Sequence, residues 1–223
     1  MLPGRAIAAT RRSIIAANTA NPAAIIGSAA SFTFSAVAIG DAPAAGQTRR
    51  VIVPIGLFGS VDRAATATVT IGGVAATVHA RSEGHVSSYL GVLIASALVP
   101  SGTTADVVVT PGGGNADGCA ISVFTIQNEA SSAPHAILQV ANGSPASGTI
   151  DVPSGGVLIA CSGNVNTGAG TWNAGNPNTE TVDVDLNTVD NFAAGFEIYP
   201  STQTGITVSR DTNTTGIAAV SWR

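Results

Sequence analysis

Residues Ala67–Ala80 read ATVTIGGVAATVHA, two runs in which apolar residues alternate with small or hydroxyl residues, joined at Gly72-Gly73. Successive side chains of an extended chain point to opposite faces, so this alternation predicts half-buried strands, and the glycine pair predicts the turn between them. The same reading extends outward in both directions. It covers VIVPIGLF (Val51–Phe58), DVVVT (Asp106–Thr110), CAISVFTI (Cys119–Ile126), GTIDV (Gly148–Val152), GVLIACSG (Gly156–Gly163), ETVDVDL (Glu180–Leu186), GITVSR (Gly205–Arg210) and GIAAVSW (Gly216–Trp222). Turn words close many of these runs: SGTT at 101–104, PGGGNADG at 111–118, PSGG at 153–156 and DTNTT at 211–215. Short alternating strands at close spacing predict an all-β, antiparallel sandwich of Greek-key or jelly-roll kind.

Within that sandwich, Phe32, Phe34 and Val37 are expected in the core, and Ala218, Val220 and Trp222 on one buried face of the last strand. Pro54 is expected near a sheet edge or a bulge, because proline has no N–H for a ladder. The segment Gly112–Gly118 is too short for a flexible joint, so strands are expected to pair across it and residues 31–223 to form one domain. No fixed internal period is visible, which excludes a β-helix, a propeller or a repeated fibre shaft.

Residues 1–30 differ from the rest. They are rich in Ala and Ile without β-alternation; AIAATRRSIIAAN would allow one short helix, which Asn21-Pro22 and then Gly27 would break. The expectation is an irregular arm laid into a groove on a partner, with Arg11, Arg12, Ile14, Ile15, Ile25 and Ile26 as its anchoring residues. Arg11-Arg12 also splits the apolar stretch that a secretory signal would need, and no run approaches the roughly twenty apolar residues of a membrane-spanning helix. The chain is therefore expected to be made in the cytoplasm and not inserted in a membrane.

Composition bears on partners. Only 10% of the 223 residues are charged, none of them Lys, and the mean hydropathy is +0.36. Freely soluble domains carry about 25% charged residues, so much of this surface is expected to be covered by other chains. The net charge of −4 comes from thirteen acids against nine Arg. Without a basic stripe, nucleic acid is not an expected partner. Cys119 and Cys161 lie in apolar runs and are expected as reduced, buried thiols.

Candidate chemistry is sparse. His79, His85 and His135 show no metal-ligand spacing, and no nucleophile-elbow serine is present. Asp183, Asp185 and Asn187 match the first ligand positions of an EF-hand loop, but Thr188 and Ala194 occupy the places that require Gly and Glu. A simpler calcium loop around Asp183, Asp185 and Asp190 is one reading; an alternating strand with its acids facing water is the other. A carboxylate pair for glycoside hydrolysis could come from any strands, and the simplest test of an enzyme is whether a pocket brings together two of Glu180, Asp183, Asp185, Asp190 and Glu197. No cofactor is expected. The stretch GNVNTGAGTWNAGNPNTE (Gly163–Glu180) is a long Asn/Gly/Thr-rich loop around one tryptophan, where Trp172, Asn173 and Asn176 form the candidate ligand contacts.

The phrases VTIGGVAATV (Val69–Val78), LVPSGTTADVVVT (Leu98–Thr110), CAISVFTI, IDVPSGGVLIACS (Ile150–Ser162) and GIAAVSWR (Gly216–Arg223), in that order, resemble small β-sandwich virion proteins of bacteriophages, of the capsid-decoration, head-fibre or tail-associated type. The resemblance covers roughly residues 48–223 and leaves the N-terminal arm outside it. It implies a non-enzymatic structural subunit located in the virion and assembled in the host cytoplasm. Its implied partners are copies of itself, with a trimer as the habit of such assemblies, and other capsid or tail proteins. A second reading is a carbohydrate- or receptor-binding module such as a fibre tip, with a host-surface glycan as its ligand.

Overall fold

The computed structural model describes residues 14–83, 89–143, 145–164, 171–172, 177–187, 190–210 and 214–223. Among them the chain runs through sixteen strands: β1 (Ile14–Ala29), β2 (Phe32–Ala38), β3 (Arg49–Gly59), β4 (Thr68–Ile71), β5 (Val74–Ala75), β6 (Thr77–Ser82), β7 (Tyr89–Leu98), β8 (Thr104–Thr110), β9 (Ala116–Gln127), β10 (Ala136–Val140), β11 (Ser147–Val152), β12 (Gly156–Asn164), β13 (Thr179–Asp185), β14 (Asn191–Tyr199), β15 (Gln203–Ser209) and β16 (Thr214–Trp222). Every pairing is antiparallel.

The stretch that predicts the fold does so through its turn. Ile71 pairs with Val74, and Gly72 and Gly73 between them have φ of 60° and 77°. A two-residue hairpin that matches strand twist needs positive φ at both central positions, which glycine adopts at no steric cost.

Four sheets stack as layers. The orders are β2-β8-β4-β5, then β1-β9-β3-β7-β6, then β10-β16-β12-β14-β13, then β11-β15. Three cores lie between them. Val51, Val53, Ile55 and Leu57 of β3 point into the first core with Phe32, Phe34 and Val107, while Ile52 points into the second with Val157, Ile159, Phe192, Val220 and Trp222. Leu158 and Ala160 of β12 turn the other way, into the third core with Ile150 and Val208. The two inner sheets are thus covered on both faces, which is why β3, β7, β9 and β12 read as nearly continuous apolar runs while β2 and β8 alternate. Each fully buried Val, Leu or Ile stabilises the fold by about 1.5–3 kcal/mol.

The antiparallel sandwich and the buried positions of Phe32, Phe34, Val37, Ala218, Val220 and Trp222 agree with the sequence. Strands do pair across Gly112–Gly118, since β9 joins β3 and β1. The sheets divide later. No strand before residue 128 pairs with one after residue 135 among the described residues; the halves meet face to face, with Asn142 N–H donating to Glu83 O and Ser82 Oγ to Val140 O where β6 and β10 come together.

Two local expectations are corrected. Pro54 sits in the middle of a sheet, opposite Ile94 of β7, and the β9 ladder skips it by passing from the Ile52–Phe124 pair to the Ile55–Ile121 pair. The missing N–H therefore falls at a gap in one ladder. The supposed irregular arm is also extended, because Ile14–Ala29 forms the edge strand beside β9. Its ladder breaks between Asn18 and Ala23, where the chain around Pro22 bulges out of register.

Candidate functional site

Three places could carry function: the β1 edge, the acidic end of β13, and the junction where the chain passes from one half to the other.

At the edge, β1 pairs with β9 on one side and with no strand on the other among the described residues. Its sixteen residues carry no charge, unlike the edge strands β6, with Arg81, and β13, with Glu180, Asp183 and Asp185. Ile25 and Ile26 are split by the pleat. Ile25 packs against the first core, whereas Ile26 is 65% exposed. Of that pair only Ile26 is left exposed. Ile14 pairs with Ile126 and Ile15 lies at the following register shift; Arg11 and Arg12 lie outside the described residues.

At the acidic end, the carboxylates converge on a cation. Arg210 is fully buried; its Nη2 donates to Asp183 Oδ2 at 2.8 Å, its Nη1 donates to Asn191 Oδ1 at 2.9 Å, and Glu180 Oε2 stands 3.6 Å from its Nε. Asn191 Nδ2 in turn donates to Asp183 Oδ1 and to Asp185 Oδ1. A buried guanidinium requires this compensation, because a lone interior charge costs several kcal/mol. Asp190 is engaged elsewhere: Asn187 Nδ2 donates to its Oδ2 at 2.6 Å and its N–H donates to Asn187 Oδ1 at 2.7 Å, closing the turn into β14. Asp183 and Asp185 thus converge on Asn191 Nδ2 while Asp190 is bonded to Asn187, and no metal-holding group of three acids, His or Cys occurs among the described residues. Glu197 accepts from Tyr199 Oη at 2.8 Å and from Asn178 Nδ2 at 3.1 Å. Burial first, and then that bond to Glu197, push the Tyr199 phenol above its usual range.

Trp172 is corrected from an exposed platform to a core residue. It is 9% exposed and belongs to the third core with Ala160, Ala193 and Ile217. Asn173 and Asn176 lie outside the described residues.

The junction holds a network that sequence reasoning missed. Arg50 of β3 forms a two-pronged ion pair with Glu129, donates from Nη1 to Ser96 Oγ at 3.0 Å and lies 5.7 Å from the Trp222 ring centroid. His79 packs edge-on against Trp222 at 4.9 Å, with Nε2 2.8 Å from Ser96 Oγ. Burial, then the Arg50 charge, lower the His79 pKa to about 4, so the ring is neutral near pH 7. The Ser–His pair is not a reachable nucleophile, since Ser96 is 1% exposed and already held by Arg50. Beside this network a cleft of about 470 Å³ opens between the Ala130–His135 connector, Pro153 and Arg223. Neighbouring Arg49 is fully buried and donates to four backbone carbonyls, those of Gly40, Asp41, Val99 and Ser101. Neither arginine of the Arg49-Arg50 step faces solvent as a basic patch.

Both cysteines are buried and unbridged, and burial raises both thiols above their usual range. They lie in different cores, Cys119 in the first and Cys161 in the second. No family model, curated protein or solved structure matches this chain.

Proposed function

We propose that the chain is a non-enzymatic structural subunit of a bacteriophage virion, attached to the capsid or tail through its N-terminal segment and associating with copies of itself through the sandwich. The observation that carries this reading is the β1 edge: sixteen residues without a charge, free along one side among the described residues, with Ile26 65% exposed. An open edge presents unpaired N–H and C=O groups, and proteins that must stay monomeric blunt such edges with charges, bulges or a cover. Here the bulge near Pro22 interrupts the edge, but Ala23–Ala29 beyond it remains paired on one side only. A strand added by a partner would take main-chain hydrogen bonds along that block, with Ile26 supplying apolar contact.

Two further features support the reading. A surface with 10% charged residues suits burial in an assembly, and the acids best placed for chemistry are engaged with Arg210 and Asn191. The test uses phage particles purified from the source culture. Antibody against the chain should label them, and particles grown with an Ile26→Lys chain should carry less of it. Antigen confined to the particle-free fraction would refute the proposal.

A further inference from the structure

The sheet order is written twice. The first half has β1-β9-β3-β7-β6 backed by β2-β8, and the second has β10-β16-β12-β14-β13 backed by β11-β15. Replacing β1, β2, β3, β6, β7, β8 and β9 by β10 to β16, in chain order, converts one arrangement into the other strand for strand. The β4–β5 hairpin has no counterpart among the described residues; the place that corresponds to it in chain order is the stretch between β12 and β13. The ends of β9 and β16 match in residue type, a glycine followed six residues later by a large aromatic. Phe58 faces Gly118 and, six residues along both strands, Ile52 faces Phe124; Gly163 faces Gly216 and, six residues along, Val157 faces Trp222.

Several contacts between the halves recur when the halves are exchanged, although β7 lies more closely against β12 and β16 than β14 does against β3 and β9. β1 lies against β13 and β10 against β6, β9 against β13 and β16 against β6, and β3 meets β12. The Phe192 ring of β14 covers Gly56 of β3, where an added Cβ would come within 2.6 Å of it; Leu90 of β7 covers Gly163 of β12, where an added Cβ would come within 2.9 Å. Strand by strand, rather than residue by residue, this is the pattern of an isologous interface, as in a two-fold dimer.

We propose that the chain is a fused pair, two copies of one sandwich that recognise each other through the same face. The surface between the two five-stranded sheets is then a self-pairing interface whose partner is a second copy of the same sandwich, supplied here by the chain itself. Each half keeps a core of its own on its far side, the first core and the third, so the second core is what the pairing adds. The connector is fastened across this interface: Ala130 N–H donates to Arg223 O, His135 N–H donates to Ser221 O, and Glu129 pairs with Arg50. The halves should therefore part before either one unfolds.

A protease site inserted between Ser132 and Ala133, both exposed, allows the folded full chain to be cut at the connector. The two pieces should elute together at the mass of the uncut chain. In a urea series they should separate, read by the red shift of tryptophan emission as buried Trp222 meets water, while the strand signal in circular dichroism persists. The midpoint of that separation should rise when the protein concentration is raised tenfold. Pieces that fall apart in buffer, or that lose strand signal in the same step as the emission shift, would overturn the proposal. Should the insertion block folding, the uncut chain answers the same question in urea: separate emission and circular dichroism transitions support the fused pair, and coincident ones overturn it.

Discussion

Gly56 is the position where the contact between the two halves is tightest. A Cβ placed there would lie 2.6 Å from Phe192 Cδ2, 3.0 Å from its Cγ and 3.2 Å from its Cβ. Carbon atoms pack at roughly 3.5–4.0 Å, so a Gly56→Ala chain needs the ring to retreat by about 1 Å. Phe192 is fully buried, and the retreat runs into the second core. Overpacking of this kind costs about 1–3 kcal/mol, offset by about 0.5–1 kcal/mol because alanine loses less backbone entropy than glycine on entering a strand. The net loss is about 0.5–2 kcal/mol, which for a chain of this length lowers Tm by roughly 1–8 °C. Thermal unfolding followed by circular dichroism measures it. In the double variant Gly56→Ala/Phe192→Leu the smaller side chain makes room, and the summed single losses should exceed the double loss by about 1 kcal/mol. A Gly56→Ala chain as stable as the parent, or losses that simply add, would refute the close approach.

Other outcomes follow from the same contacts. Arg49→Ala strands four backbone carbonyls that the guanidinium now satisfies and should cost at least about 3 kcal/mol in urea unfolding; a loss below 1 kcal/mol would contradict the cage. His79 has a folded pKa of about 4 against an ordinary 6.5, so the unfolded chain binds the extra proton and stability should fall as pH drops through that window. A His79→Gln chain should show a shallower decline over the same range, and an unchanged profile would contradict the assignment. Cys119 and Cys161 should resist a thiol reagent in the native protein; in a urea series Cys161, in the second core, should react as the halves part, and Cys119, in the first core, only when its half unfolds. Ile26→Lys should change stability by no more than about 0.5 kcal/mol, because the side chain is 65% exposed, while reducing the amount of chain bound to the particle.

Alternation and turns were enough to reveal the strands, because a half-buried strand writes its two faces into the sequence. Val69 and Ile71 face the first core beside the Gly72-Gly73 turn, and Ala218, Val220 and Trp222 all face the second. Periodicity does not say which sheets stack. Ile52 and Val53 point into different cores although they are neighbours in one apolar run. Ile14–Ala29 was illegible for a different reason: Ala, Asn and Pro disfavour strands locally, and pairing with β9 overrides them. Trp172 looked like a platform because its loop is polar, yet its ring is in the third core. The network at the junction joins Arg50 to Glu129, 79 residues away, with no spacing signature. The doubled sheet order has likewise worn down in sequence to fragments, such as Pro100-Ser101 against Pro200-Ser201 and the matching ends of β9 and β16.

The account rests most heavily on this chain being an assembling subunit with an open, uncharged edge. Its solution mass, from light scattering after size exclusion, tests that most directly. A mass of two or more copies of the 21.9 kDa chain is the predicted result. A mass of one copy across the accessible concentration range would contradict it.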